Sequence, residues 1–107
     1  MADDFRVVLV SVPKPELADT LAAGLVENKL AACVTALPGA ISHYRWEGKM
    51  EKESEVLLVI KTRAAALPSL MSYVKRHHGA KVPEIISLPI LEGNQAYLEW
   101  IAANVNP

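Results

Sequence analysis

The sequence predicts an α+β fold, a ferredoxin-like βαββαβ sandwich with a C-terminal helix. Three observations carry this. Two amphipathic helical periods alternate with β-branched runs, and Pro and Gly punctuate the boundaries between them. The segment from Leu30 to Lys61, LAACVTALPGAISHYRWEGKMEKESEVLLVIK, joins two long strand-like runs through a charged stretch. At 107 residues the chain suits a single domain over 1–107, whose core needs neither disulfide nor metal to hold it.

Strand 1 is Arg6 to Val12, RVVLVSV, ended by Pro13 and Pro15, which stop a ladder and suit a helix's first turn. From Glu16 to Lys29, Leu17, Leu21 and Leu25 recur at helical spacing, with Ala18, Ala22 and Val26 widening the stripe. Strand 2 runs from about Ala31 to Trp46, with a bulge or bend expected at Pro38 and Gly39. Past that point alternation puts Ser42, Tyr44 and Trp46 on one face and His43, Arg45 and Glu47 on the other. The charged stretch Gly48 to Ser54 reads as a hairpin connection, and strand 3 as Glu55 to Thr62.

Leu67, Leu70, Met71 and Val74 give a second helix starting near Leu67, which keeps Pro68 in the first turn. Lys75, Arg76, His77 and His78 stand at its end, and Gly79 stops it. Strand 4, Glu84 to Leu91, contains Pro89 and follows Pro83, which directs it to a sheet edge. Asn94 then caps a last helix carrying Tyr97, Leu98, Trp100, Ile101 and Val105.

Strands 1 and 3 are apolar on both faces: Val7 and Leu9 oppose Val8 and Val10, and Leu57 and Val59 oppose Val56, Leu58 and Ile60. Two helices cover one face, and only the last helix is left for the other. The economical cover is another copy of the chain, in an obligate oligomer with a core-like interface.

Composition narrows the function classes. Hydrophobic residues make up 51% of the chain and charged ones 21%, and no apolar run approaches the roughly 20 residues that span a bilayer, so no membrane role is expected. The start, MADDFRVV, lacks the pattern of a secretion signal, and Cys33 is the sole cysteine, so the cytoplasm is the expected compartment. Net charge is −1 with the basic residues scattered, which argues against nucleic acid as a partner.

The candidate metal-binding residues are His77 and His78, since imidazoles bind Cu(II), Ni(II) and Zn(II). Adjacent helical positions point about 100° apart, so further ligands must come from elsewhere, such as Glu84 or another chain. The plainer alternative is that both histidines complement the helix dipole. Cys33 and His43 are not expected to ligate, and no HxxxH, CxxC or acidic-loop spacing occurs. No serine has nucleophile-elbow glycines around it, and no phosphate loop is present. Tyr44, Arg45, Trp46 and Glu47, together with Lys61 and Glu84, suit either a pocket at a subunit boundary or an interface with rim ion pairs.

LAACV at Leu30, PG at Pro38, YRWEGK at Tyr44, EVLLVIKT at Glu55, VPEII at Val82, LPI at Leu88, GN at Gly93 and YLEWI at Tyr97 together resemble the CutA family of divalent-cation tolerance proteins. The likeness extends over nearly the whole chain. It implies a homotrimer whose long strands pack between subunits, a role in tolerance of copper and other divalent ions, no turnover and no required cofactor. It also implies copper ligation by adjacent histidines matching His77 and His78, with a cysteine in strand 1 where this chain has Val10. After the histidines the family usually shows Pro, Tyr and an acidic or amide residue. Here Gly79, Ala80 and Lys81 replace an aromatic wall with a positive charge. The alternative reading is a signalling or regulatory module that binds a small effector in an intersubunit pocket.

Overall fold

A computed structural model describes residues 4–106. Residues 1–3 and 107, the ends of the expected 1–107 domain and the first positions of the start read above, lie outside it. The elements are β1 (Phe5–Val12), α1 (Pro15–Glu27), β2 (Cys33–Trp46), β3 (Lys49–Arg63), α2 (Leu67–His78), β4 (Ile86–Pro89) and α3 (Gln95–Asn104). The strands form one sheet in the order β2-β3-β1-β4, with every neighbouring pair antiparallel. This is the ferredoxin-like order, and it makes β1, apolar on both faces, an inner strand.

The two large helices bury one sheet face. Val8, Val10, Val12, Leu58 and Ile60 meet Leu21 and Leu25 of α1 and Leu70 and Val74 of α2 in one core. Pro15 fixes the first turn of α1, where its missing N–H costs nothing. Asn28 closes the other end, donating from Nδ2 to the Gly24 carbonyl at 2.8 Å. Pro68 lies in the first turn of α2, and Gly79 ends that helix at φ 88°, a left-handed conformation that glycine reaches without Cβ strain. The helices approach closely at Gly24, where an added Cβ would overlap the Tyr73 hydroxyl. Buried Thr62 donates to the Leu30 carbonyl at 2.7 Å, joining β3 to the segment after α1.

The charged stretch is not the connection expected over Gly48 to Ser54. The turn is only Glu47 and Gly48, at φ 49° and 80°, the positive angles of a two-residue hairpin turn that follows strand twist. β3 starts at Lys49, and the ladder runs from Trp46↔Lys49 to Ala40↔Glu55. β1 reaches β3 only as far as Val56. Beyond that the hairpin is a two-stranded arm with no helix packed on it, and its mostly exposed side chains include charged ones that cost the ladder little. The bulge at Pro38 and Gly39 is present as a register shift between Leu37 and Ala40. β4 is an edge strand, shorter than the Glu84 to Leu91 span read from sequence, because its ladder with β1 extends only from Ile86 to Pro89.

The second sheet face is mostly open. Leu9, Leu57 and Val59 are half-buried there, while Leu37, Ile86 and Leu88 remain 47%, 48% and 45% exposed. α3, capped by the Asn94 side chain accepting from the Ala96 N–H, covers one end. Its Ile101, followed by Val105, packs with Phe5, Ala32 and Ala66.

Candidate functional site

A cleft of about 640 Å³ lies between the hairpin arm and the loop joining α2 to β4. The arm contributes Tyr44, Trp46 and Glu47 from β2 and the turn, and Glu53 and Glu55 from β3. The loop contributes Lys81 and Glu84, and the floor includes Ser11 at the end of β1. Strand alternation explains the arm: Ser42, Tyr44 and Trp46 share a face with their cross-strand neighbours Glu51 and Glu53.

Two contacts give the walls their shape. The Tyr44 hydroxyl donates to Glu53 Oε1 at 2.6 Å. That bond, with the negative field of Glu53, Glu51 and Glu55, raises the phenol from 10.0 to about 12, because ionising it would place a second anion beside the carboxylate. Across the cleft Ser11 Oγ donates to Glu84 Oε1 at 3.5 Å.

The two histidines occupy different surroundings. His78 is 4% exposed. Its Nε2 lies 2.6 Å from the Ser11 carbonyl, and its Nδ1 accepts from the Ala80 N–H at 3.3 Å. A carbonyl only accepts, so Nε2 carries the proton, and the one lone pair of the neutral ring faces Ala80. A cation reaches that ring only if one of these bonds opens. His77 is exposed and lies over Tyr73 with ring centroids 4.3 Å apart. Among the described residues its nitrogens have no hydrogen-bond partner, and no group of three or more His, Cys, Asp or Glu side chains is gathered around a common point. Val10, where the family resemblance implies a cysteine, is wholly buried in the helix-facing core.

Of the other pocket residues expected from sequence, Trp46, Glu47 and Glu84 line the cleft and Lys61 does not. Lys61 stands at the far end of β3, donating to Thr35 Oγ1 at 2.8 Å and to the Val59 carbonyl at 3.1 Å. Sequence reasoning missed Glu53, Glu55 and Ser11. The signal for the glutamates was present: Glu51, Glu53 and Glu55 alternate, which is strand periodicity.

The fold and cleft define a small ferredoxin-like α+β protein with a long hairpin arm, a polar cleft beside it and an uncovered apolar sheet face. The chain belongs to the CutA1 divalent ion tolerance protein family, whose pattern matches residues 6–104. It is 50% identical over 99 residues to a divalent-cation tolerance protein CutA of Thermus thermophilus, covering 92% of this chain and 96% of that one. A chloroplastic CutA 1 of Oryza sativa is 50% identical over 95 residues, covering 89% of this chain; the chain spans about half of that relative's length, 54%. The crystal structure of CutA1 from Oryza sativa superposes with a TM-score of 0.95 at 45% identity, covering 97% of this chain and 95% of that one. None of the helices is long and apolar enough to cross a membrane among the described residues.

Proposed function

We propose that the protein is a homotrimeric divalent-cation tolerance protein of the cytoplasm, which takes up a Cu(II)-type ion at the end of α2 and catalyses no reaction. Membership of a family whose bacterial members are named for divalent-cation tolerance supports the role. The observation that carries the metal reading is the exposed imidazole of His77, free of hydrogen bonds among the described residues, at a helix C-terminus whose dipole favours a cation. His77 is the first ligand in this reading. His78 joins it where its ring gives up Ala80 or Ser11, and the remaining ligands come from a neighbouring copy. The homotrimer is supported by the open apolar face of Leu9, Leu37, Leu57, Val59, Ile86 and Leu88, a surface of the kind that association buries. Titration calorimetry with Cu(II) at neutral pH tests the metal site: wild type takes up the ion and His77→Ala loses most of that heat. Identical uptake by both proteins removes His77 from the site.

The cleft favours a second reading, a regulatory module that holds a small effector between Trp46, Glu47 and Glu84. Aromatic walls with a few polar groups are ordinary binding-site material.

A further inference from the structure

We propose that Tyr73 is a positioning residue for the metal-binding imidazole of His77: it holds that ring in one orientation and offers its π-face to the positive charge that a bound ion puts on it. Residues four apart on a helix lie on one face. Here the two rings meet with centroids 4.3 Å apart, tilted by 38°. His77 is exposed, and an exposed imidazole left alone turns about its side-chain torsions, so an ion that binds it must first stop that motion. A ring already stacked has lost most of this freedom before the ion arrives.

Tyr73 is itself held. It packs, half-buried, against the core shared by α1, α2 and the sheet, and its hydroxyl end lies against α1 at Gly24, where a Cβ would overlap it. The phenol is thus fixed on the neighbouring helix while its ring meets His77. The π-face of such a ring attracts positive charge, and Arg76 already draws on it, its guanidinium carbon 5.9 Å from the centroid. Lys75 and Arg76 stand in the same last turn as His77, and both repel a cation there. The helix dipole and the Tyr73 ring oppose that repulsion. The donor chemistry fits a metal ligand: among the described residues the His77 nitrogens carry no hydrogen bond, so a lone pair is available without breaking a contact. All of these contacts lie in the helix layer, on the opposite side of the sheet from Leu57 and Val59.

The inference rests on the metal reading of His77 above, and two measurements keep the two apart. In proton NMR of the metal-free chain, the His77 ring protons are expected upfield of ordinary imidazole positions, under the Tyr73 ring. Tyr73→Phe keeps that displacement and Tyr73→Leu loses it. In titration calorimetry with Cu(II) at neutral pH, Tyr73→Leu weakens uptake about threefold to fivefold, through the loss of one cation–π contact and one pre-ordered side chain. Tyr73→Phe stays within about twofold of wild type, since the ring face remains. Wild-type affinity in Tyr73→Leu, with uptake still lost in His77→Ala, overturns the inference and leaves the metal reading standing. So does an equal loss in Tyr73→Phe, which removes only the hydroxyl, and so do undisplaced His77 protons in wild type. Equal uptake by wild type and His77→Ala overturns the metal reading, and the inference falls with it.

Discussion

The Nε2 of His78 donates to the carbonyl oxygen of Ser11 across 2.6 Å, fastening the last residue of α2 to the end of β1. Together with the Ala80 N–H on Nδ1, this bond makes His78 a clasp for the loop that walls the cleft. His78→Ala leaves the Ser11 carbonyl unpaired beside a new cavity and is expected to cost about 2–3 kcal/mol. His77→Ala, on an exposed ring, stays within about 0.5 kcal/mol. Urea unfolding at one fixed protein concentration compares the two, and equal losses would show that burial does not separate their roles.

The Tyr44 phenol, raised to about 12 by Glu53, titrates above an ordinary tyrosine. The folded value is the higher one, so the contribution to stability is full below pH 10 and is lost as pH rises from about 10 to about 12. Glu53→Ala removes both the hydrogen bond and the charge, and the midpoint falls back toward 10. Phenolate absorbance of wild type against this variant reads the shift.

Gly24 and Tyr73 form a size-coupled pair, since a methyl group at Gly24 meets the tyrosine hydroxyl. Gly24→Ala in wild type is expected to destabilise by about 1–2 kcal/mol, the cost of overpacking exceeding the helix-propensity gain. In a Tyr73→Leu background the overlap is gone and the same substitution becomes favourable by about 0.5–1 kcal/mol. A double-mutant cycle by denaturant titration reads the sign change.

The arm depends on its turn. Gly48 sits at φ 80° with nothing near a Cβ position, so Gly48→Ala is penalised by backbone conformation alone, by about 1 kcal/mol. Glu47, at φ 49°, gains from Glu47→Asn by a few tenths of a kcal/mol, because asparagine before glycine suits this turn. Thermal melts of both variants are expected to move in opposite directions.

Leu57 stands on the open sheet face between Ser11 and Leu37. If copies of the chain cover that face, Leu57→Asp places a charge in the interface and dissociates the assembly. Light scattering is expected to give a trimer mass for wild type and a smaller mass for the variant. A monomeric wild type would remove the trimer from the proposed function.

Much of the fold was legible because its signals are local. Pro15 and Pro68 mark helix starts, Gly79 a helix end, and Pro38 with Gly39 a bulge, each through a backbone restriction that needs no tertiary partner. The arm was misread at Lys49 to Ser54 because high charge resembles a loop, while the alternation of Glu51, Glu53 and Glu55 carries the opposite message. Trp46, Glu47 and Glu84 were grouped from sequence as aromatic and charged material for a pocket or an interface rim, and chain reversal at the turn and the α2–β4 loop puts them along one cleft. Lys61 was not separable from them, since only the register, Lys61↔Cys33 and Lys61↔Val7, puts it at the other end of the sheet.

The sequence by itself determined the order of elements and the two apolar faces of β1 and β3, because periodicity and punctuation act over a few residues at a time, and its likeness in blocks such as YRWEGK and EVLLVIKT pointed to the family. The tertiary structure alone decided the fates of the adjacent histidines. His77 and His78 differ by one helical step, about 100°, and only the placement of β1 and the Gly79–Ala80 backbone buries one imidazole in hydrogen bonds and leaves the other exposed. It likewise decided that glutamates from the arm and loop share one cleft, since strand pairing and chain reversal bring together residues that are distant in sequence.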